Sequence, residues 1–183
     1  LSAIMPLGRS GIDSGRYTSE SHVYPQREQA SDLSWHIVHT EASQGWGGQE
    51  IRILTESTGM IERGHRVTLL APAAANITPA ARELGINVVP MPFEKRTLKA
   101  ALATRRWLKA NPVDIINTHS SIDSWLVGLA RLGWGNAPPV VRTRHISAPL
   151  RLNPGTRWIY TKSAQRVATT GESLRLGLIE QLG

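Results

Sequence analysis

The residues best placed to do chemistry lie in the run Asp114-Ile115-Ile116-Asn117-Thr118-His119-Ser120-Ser121, where a histidine follows the apolar pattern of a buried strand. An imidazole just past such a strand can donate to or accept from a substrate hydroxyl near neutral pH, which a backbone turn cannot do. Ser120 and Asp123 share this loop and join His119 as substrate-binding candidates.

A second candidate is Gln44-Gly45-Trp46-Gly47-Gly48-Gln49-Glu50. Glycines there let a ligand approach the backbone, and the start of a helix offers free N–H groups and a positive dipole to an oxyanion or phosphate. A tight turn that merely starts a helix would look the same. A third is Arg142-Thr143-Arg144-His145-Ile146-Ser147. Strand alternation sends Arg142 and Arg144 to one face, from which Arg144 can reach a crevice and bind a phosphate with His145 beside it. The fourth is Thr170-Gly171-Glu172. His39, inside a predicted strand, and His65, in a helix-to-strand turn, read as structural, and neither stands at metal-ligand spacing from His119.

Several enzyme classes drop out. A dinucleotide fingerprint needs glycine where Glu50 stands and an acidic residue ending the second strand, where this chain has Ala71. The phosphate loop G-x-x-x-x-G-K-[ST] and the zinc motif H-E-x-x-H do not occur. Gly171-Glu172-Ser173-Leu174-Arg175 lacks the second glycine of a hydrolase nucleophile elbow. With no cysteine there is no disulfide, thiolate metal site or thiol nucleophile.

The elements that must position these groups form a regular series. Strands are predicted at 35–40, 66–71, 86–90, 114–117, 140–143 and 166–169, separated by amphipathic stretches. The first helix, 49–62, carries Ile51, Leu54, Thr58 and Ile61 on one face and closes at Gly64. Another takes Leu98, Ala101, Leu102 and Leu108 as its buried face and stops at Asn111-Pro112. A short helix at 79–84 ended by Gly85, a helix carrying Trp125, Leu126, Leu129 and Leu132, one at 156–164 and one from Glu172 complete the set. Six such units make an α/β, doubly wound parallel sheet, with ligands expected at the carboxyl ends of the strands.

Residues 1–34, rich in Ser, Gly, Arg and Gln, read as a mobile leader preceding a domain at 35–183. The charge of +7 and pI near 10.5 favour anionic partners: phosphorylated sugars, lipid headgroups or nucleic acid. No stretch approaches the roughly 20 apolar residues of a membrane span. The basic and aromatic segment Arg157-Trp158-Ile159-Tyr160-Lys162 would suit a lipid interface, but packing of its aromatics into the core is the preferred expectation.

Taken together, Gly47-Gly48-Gln49-Glu50 after the first strand, the turn Arg63-Gly64-His65-Arg66-Val67 into the second, and Asp114 to His119 resemble the N-terminal domain of family 4 glycosyltransferases. The resemblance implies the Rossmann-like N-terminal half of a GT-B fold, which binds the acceptor, with the nucleotide-sugar bound by a C-terminal domain that this chain lacks. It implies metal-independent, retaining transfer to a lipid-linked or polysaccharide acceptor, with no cofactor beyond the nucleotide-sugar as co-substrate. The setting implied is the cytoplasm, or the inner face of the membrane. His119 is then the candidate contact to the transferred sugar, and Gly47, Gly48, Ser120, Asp123, Arg144, His145 and Glu172 are substrate-binding candidates. Glu172 and Glu180 have the spacing of the family's E-x7-E donor motif, but they lie on the last helix of the first domain, where that motif does not belong. The alternative is a stand-alone binding domain for anionic sugars or nucleic acid.

Overall fold

A computed structural model describes residues 34–146 and 148–183, together with the backbone of Ile4–Pro6. The expected mobile leader at 1–34 otherwise lies outside the described residues. Six parallel strands form where the alternating apolar runs predict them: β2 (His36–Thr40), β3 (Arg66–Ala71), β4 (Asn87–Pro90), β5 (Ile115–Thr118), β6 (Val140–Arg144) and β7 (Arg166–Thr169). Ile4–Pro6 forms β1, antiparallel to β7 at the sheet edge. The order across the sheet is β1-β7-β6-β5-β2-β3-β4.

The chain therefore enters the sheet in the middle, winds outward through β3 and β4, and returns to β5 on the other side of β2. Right-handed crossovers then place the helices of the two halves on opposite faces. Helices α1 (Gly48–Ile61) and α2 (Ile77–Glu83) pack on one. Helices α3 (Leu98–Ala110) and α4 (Ser121–Arg131) pack on the other. The strand period of two serves both layers: Ile37 and Leu69 meet Ile53 and Leu54 of α1, while Val38 and Leu70 join Phe93, Leu108, Leu126 and Val127.

The predicted helix beginning at 156 is a short α5 (Pro154–Trp158) running into a π-helical turn, Ile159–Ser163. Its Ile159 and Tyr160 pack with Leu178 and Leu182 of α6 (Glu172–Leu182). The aromatic segment is therefore core at Tyr160, while Trp158 packs tilted against Trp125 at 5.5 Å.

Three helix faces differ from expectation. Helix α1 buries Glu50, Ile53, Leu54 and Ser57, leaving Ile51 and Ile61 exposed. Helix α3 buries Ala100, Ala101, Thr104 and Leu108, leaving Leu98 74% and Leu102 54% exposed. On α4 the buried residues include Val127, Gly128 and Ala130, while Leu129 and Leu132 are exposed. One cause of the small-residue faces is close approach: a Cβ on Gly128 would lie 2.7 Å from Trp158, so α4 and the α5 region touch almost backbone to ring. Gly64 and Gly85 end their helices at φ of +82° and +74°, the left-handed conformation that favours glycine.

Candidate functional site

Strands β2 and β5 are the neighbours at which the winding reverses, so the loops leaving their carboxyl ends diverge and open a crevice. Asp123 ties the two strand ends together. Its carboxylate accepts from Thr40 Oγ1 at 2.6 Å, from the His119 backbone N–H at 2.9 Å and from Ser120 Oγ at 2.6 Å. It is wholly buried, and burial pushes its pKa up against the pull of Arg142, Ser120 and Thr40. Ser120 and Asp123, expected to touch substrate, thus bond to each other.

His119 is buried and uses both ring nitrogens inside the protein. Its Nε2 lies 2.8 Å from Nδ1 of His39, and its Nδ1 lies 2.9 Å from Nε2 of His145. The His39 and His119 rings stack at 5.1 Å with 13° between planes, and His145 follows at 5.2 Å. His39, read from sequence as structural and at no useful spacing from His119, is the inner member of this row. The pairing of β2 with β5 brings it there: His39 stands opposite Asn117, which places it on the side of the sheet toward which His119 also points. Burial pushes His39 down to about 4. Burial first, then His39, His145, Arg142 and Arg52, hold His119 well below its ordinary 6.5. Burial, with Arg52 and Arg142, brings His145 to about 4 against the opposing charge of Glu50. The row is therefore neutral at physiological pH. Among the described residues no group of three or more His, Asp or Glu side chains is placed to hold a metal.

The outer histidine opens onto a cavity of about 810 Å³ lined by Ser43, Gly45 to Arg52 apart from Ile51, His145, Ile146 and Thr170. Three of the four predicted loops meet there, and the fourth reaches it through the His119–His145 bond. Gly47 precedes α1, and the N–H groups of Gly48, Gln49 and Glu50 precede its first internal bond, from Ile51 N–H to Gly47 O. Neither Gly47 nor Gly48 has a left-handed backbone, and a Cβ on Gly48 would meet nothing within 4 Å. The backbone does not require glycine here; what glycine provides is a bare surface.

Behind this loop Glu41 is fully buried. It accepts from the backbone N–H groups of Ala42 at 2.8 Å and Ser43 at 2.7 Å and from the Gln49 amide. Burial and the Asp123 carboxyl nevertheless push it up to about 7. Glu41 opens the first of the strand-end loops, at 41–48, but the sequence assigns no role to its side chain or to Arg52, since a single acid after a strand and a single base in a helix carry no motif.

The remaining candidates lie elsewhere. Arg142 donates to Ser120 O at 2.7 Å and to Ser124 Oγ, with its guanidinium 4.9 Å from the Tyr160 ring. Arg144 donates to Tyr160 Oη at 3.0 Å and to Ala148 O, so it faces the α6 side of the sheet and not the glycine loop. Glu172 is exposed on the first turn of α6 and pairs with Arg175.

The sequence profile of Glycosyltransferase Family 4 matches residues 46–180. The chain belongs to glycosyltransferase family 4. Its fold is that of GT-B glycosyltransferase structures. A glycosyltransferase from Rickettsia africae aligns at TM-score 0.65 and 16% identity, over 81% of this chain and 40% of that one. Anabaena HepE, solved with UDP and glucose, aligns at 0.59 and 15% over 81% and 41%. MurG of Acinetobacter baumannii aligns at 0.56 and 17% over 72% and 40%. The chain thus spans about two fifths of the length of these structures. Among curated protein sequences none matches. The family 4 match begins at Trp46, so it takes in the glycine loop, His119, Arg144, His145 and Glu172 but not His39 or Glu41.

Proposed function

We propose that this chain is the N-terminal, acceptor-side part of a glycosyltransferase that moves a sugar from a nucleotide-sugar to a lipid-linked or polysaccharide acceptor, with retention and without a metal. The observation that carries the reading is the cavity at the reversal of the sheet, where the bare start of α1, Arg52 and the His119–His145 pair converge. Helix N–H groups and a guanidinium suit anionic oxygens, and a neutral imidazole suits a sugar hydroxyl. The nucleotide-sugar is a co-substrate held chiefly by a donor-binding domain outside this chain, so the 183 residues alone do not complete the site. Radiolabelled UDP-, GDP- and ADP-sugars offered with a membrane glycolipid extract to the product of the complete reading frame should yield a labelled glycolipid or polysaccharide. Transfer from none of them refutes the reading.

A peripheral position on the cytoplasmic face of a membrane belongs to the same proposal. No helix among the described residues is long and apolar enough to cross a bilayer. Between Lys95 and Gly171 there are thirteen Lys and Arg against two carboxylates, Asp114 and Asp123. On this side of the sheet the exposed Leu98, Leu102, Leu129 and Leu132 lie among Lys99, Arg106 and Lys109, while Arg105 and Lys109 stand over Trp134. Apolar side chains surrounded by bases fit an anionic lipid surface. The chain should sediment with phosphatidylglycerol vesicles and not with phosphatidylcholine ones, and Leu98→Gln with Leu102→Gln should reduce binding about tenfold, the loss of two partly buried apolar contacts. Preference for nucleic acid over vesicles would favour the binding-domain alternative.

A further inference from the structure

We infer that His39 is a positioning residue that fixes the direction of the hydrogen bonds along His39, His119 and His145, so that His145 presents an Nδ1–H donor to the cavity. A neutral imidazole has one N–H and one lone pair. His119 bonds through both nitrogens, so it must donate on one side and accept on the other. Only two orders satisfy both bonds. In the outward order His39 donates to His119, His119 donates to His145, and His145 carries its proton on Nδ1, at the cavity end. In the inward order every proton is on Nε2, and the last points from His39 into the interior.

The two ends of the row are not equivalent, and that decides the order. His39 is fully buried and its Nε2 has no hydrogen-bond partner. The inward order would strand an N–H donor there, whereas the outward order leaves a lone pair, and buried donors are left without a partner more rarely than buried acceptors. His145, by contrast, is half-buried at the cavity wall, where its Nδ1 can meet solvent or ligand. Arg52, near the outer end, opposes an N–H directed at it, but it is paired with Glu56, and Glu50, which lines the same cavity, favours such an N–H.

Two consequences follow for the proposed transferase, on which this functional weight rests. The ring nitrogens of His119 are both engaged, so His145 is the member that meets a ligand, and it offers a donor. The cavity end of the row therefore takes an oxygen acceptor, such as a phosphate or sugar oxygen, and not a donor-only group. His39 acts on that choice from two rings away without touching the ligand.

Imidazole ¹⁵N NMR of the labelled 183-residue chain, without ligand and near neutral pH, tests this directly. The expected pattern is protonation on Nδ1 of all three rings; an Nε2–H form of any of them as the main species overturns the outward order. In His39→Phe the innermost donor is removed, and His145 should change from a single Nδ1–H form to a mixture of both tautomers. An unchanged His145 spectrum in that folded variant would show that His39 does not position it, and if the variant does not fold, the pattern of the parent chain alone decides. Since the tautomers are read without substrate, failure of sugar transfer would refute the functional reading and leave this order standing, and the converse holds equally.

Discussion

Acidification should destabilise this protein through its histidine row, and His39 gives the effect a size. Its pKa falls from 6.5 to about 4 because the ring is fully buried. A histidine depressed on folding is neutral in the native state while the unfolded chain binds a proton. Stability is therefore intact above the unfolded value and is lost as pH falls from 6.5 toward 4. At about 1.4 kcal/mol per pH unit the whole interval is worth about 3 kcal/mol, of which about 2 kcal/mol is lost between about pH 7.5 and about pH 5. The perturbation is His39→Phe, which keeps an aromatic ring in the stack and removes the titration. At neutral pH this variant should be less stable by about 1–3 kcal/mol, because Nε2 of His119 is left buried without its partner. Its further loss on acidification should be smaller than the parent's by about 2 kcal/mol. Urea unfolding followed by tryptophan fluorescence at the two pH values measures both quantities. Equal acid losses in parent and variant would refute the assignment of His39 as a buried neutral base.

Glu41 should behave with the opposite sign. Raised to about 7 by burial and Asp123, it penalises the folded state as pH climbs from 4.5 through 7, so Glu41→Gln should gain about 2 kcal/mol on the parent between about pH 5 and about pH 8 in the same urea assay. Gly48→Ala, at a position where a Cβ meets nothing, should raise thermal stability by about 1–3 °C, from up to about 1 kcal/mol of helix propensity, while weakening ligand binding in the cavity; calorimetry of parent and variant reads the first and titration with UDP-glucose the second. Gly128→Ala should instead cost about 1–3 kcal/mol in urea unfolding, since its Cβ would lie 2.6 Å from Ser163 Oγ and 2.7 Å from the Trp158 ring.

The sheet was legible because its central strands β2 and β3 are buried on both faces and the others carry short runs of apolar, β-branched residues bounded by turn signals, which read as strands whatever the packing between them. All six parallel strands lie within a residue or two of the apolar runs. Helix faces were less legible. Leu98, Leu102, Leu129 and Leu132 are apolar and periodic yet exposed, while Ala100, Thr104, Gly128 and Ala130 face the core, because helices that approach closely need small side chains where they touch. In the site, the strand-end rule picked out the glycine loop and His145, which line the cavity, and His119, which bonds to His145. It also sent Arg144 to the crevice, since alternation gives a residue's face but not which side of the sheet holds the ligand; here that face meets Tyr160. His39 was missed because its role depends on a neighbour 80 positions away, through a pairing of β2 with β5 that local pattern does not reveal.

The most direct test of the central claim is to measure sugar transfer by the product of the complete reading frame, as parent, His145→Ala and Glu172→Ala, with the nucleotide-sugar that the parent accepts. The cavity account predicts that kcat/KM falls about 100-fold or more in His145→Ala, the loss of about 3 kcal/mol at a positioned donor, and stays within about twofold in Glu172→Ala, whose side chain lies in solvent beside Arg175. Full activity in a folded His145→Ala protein would contradict it.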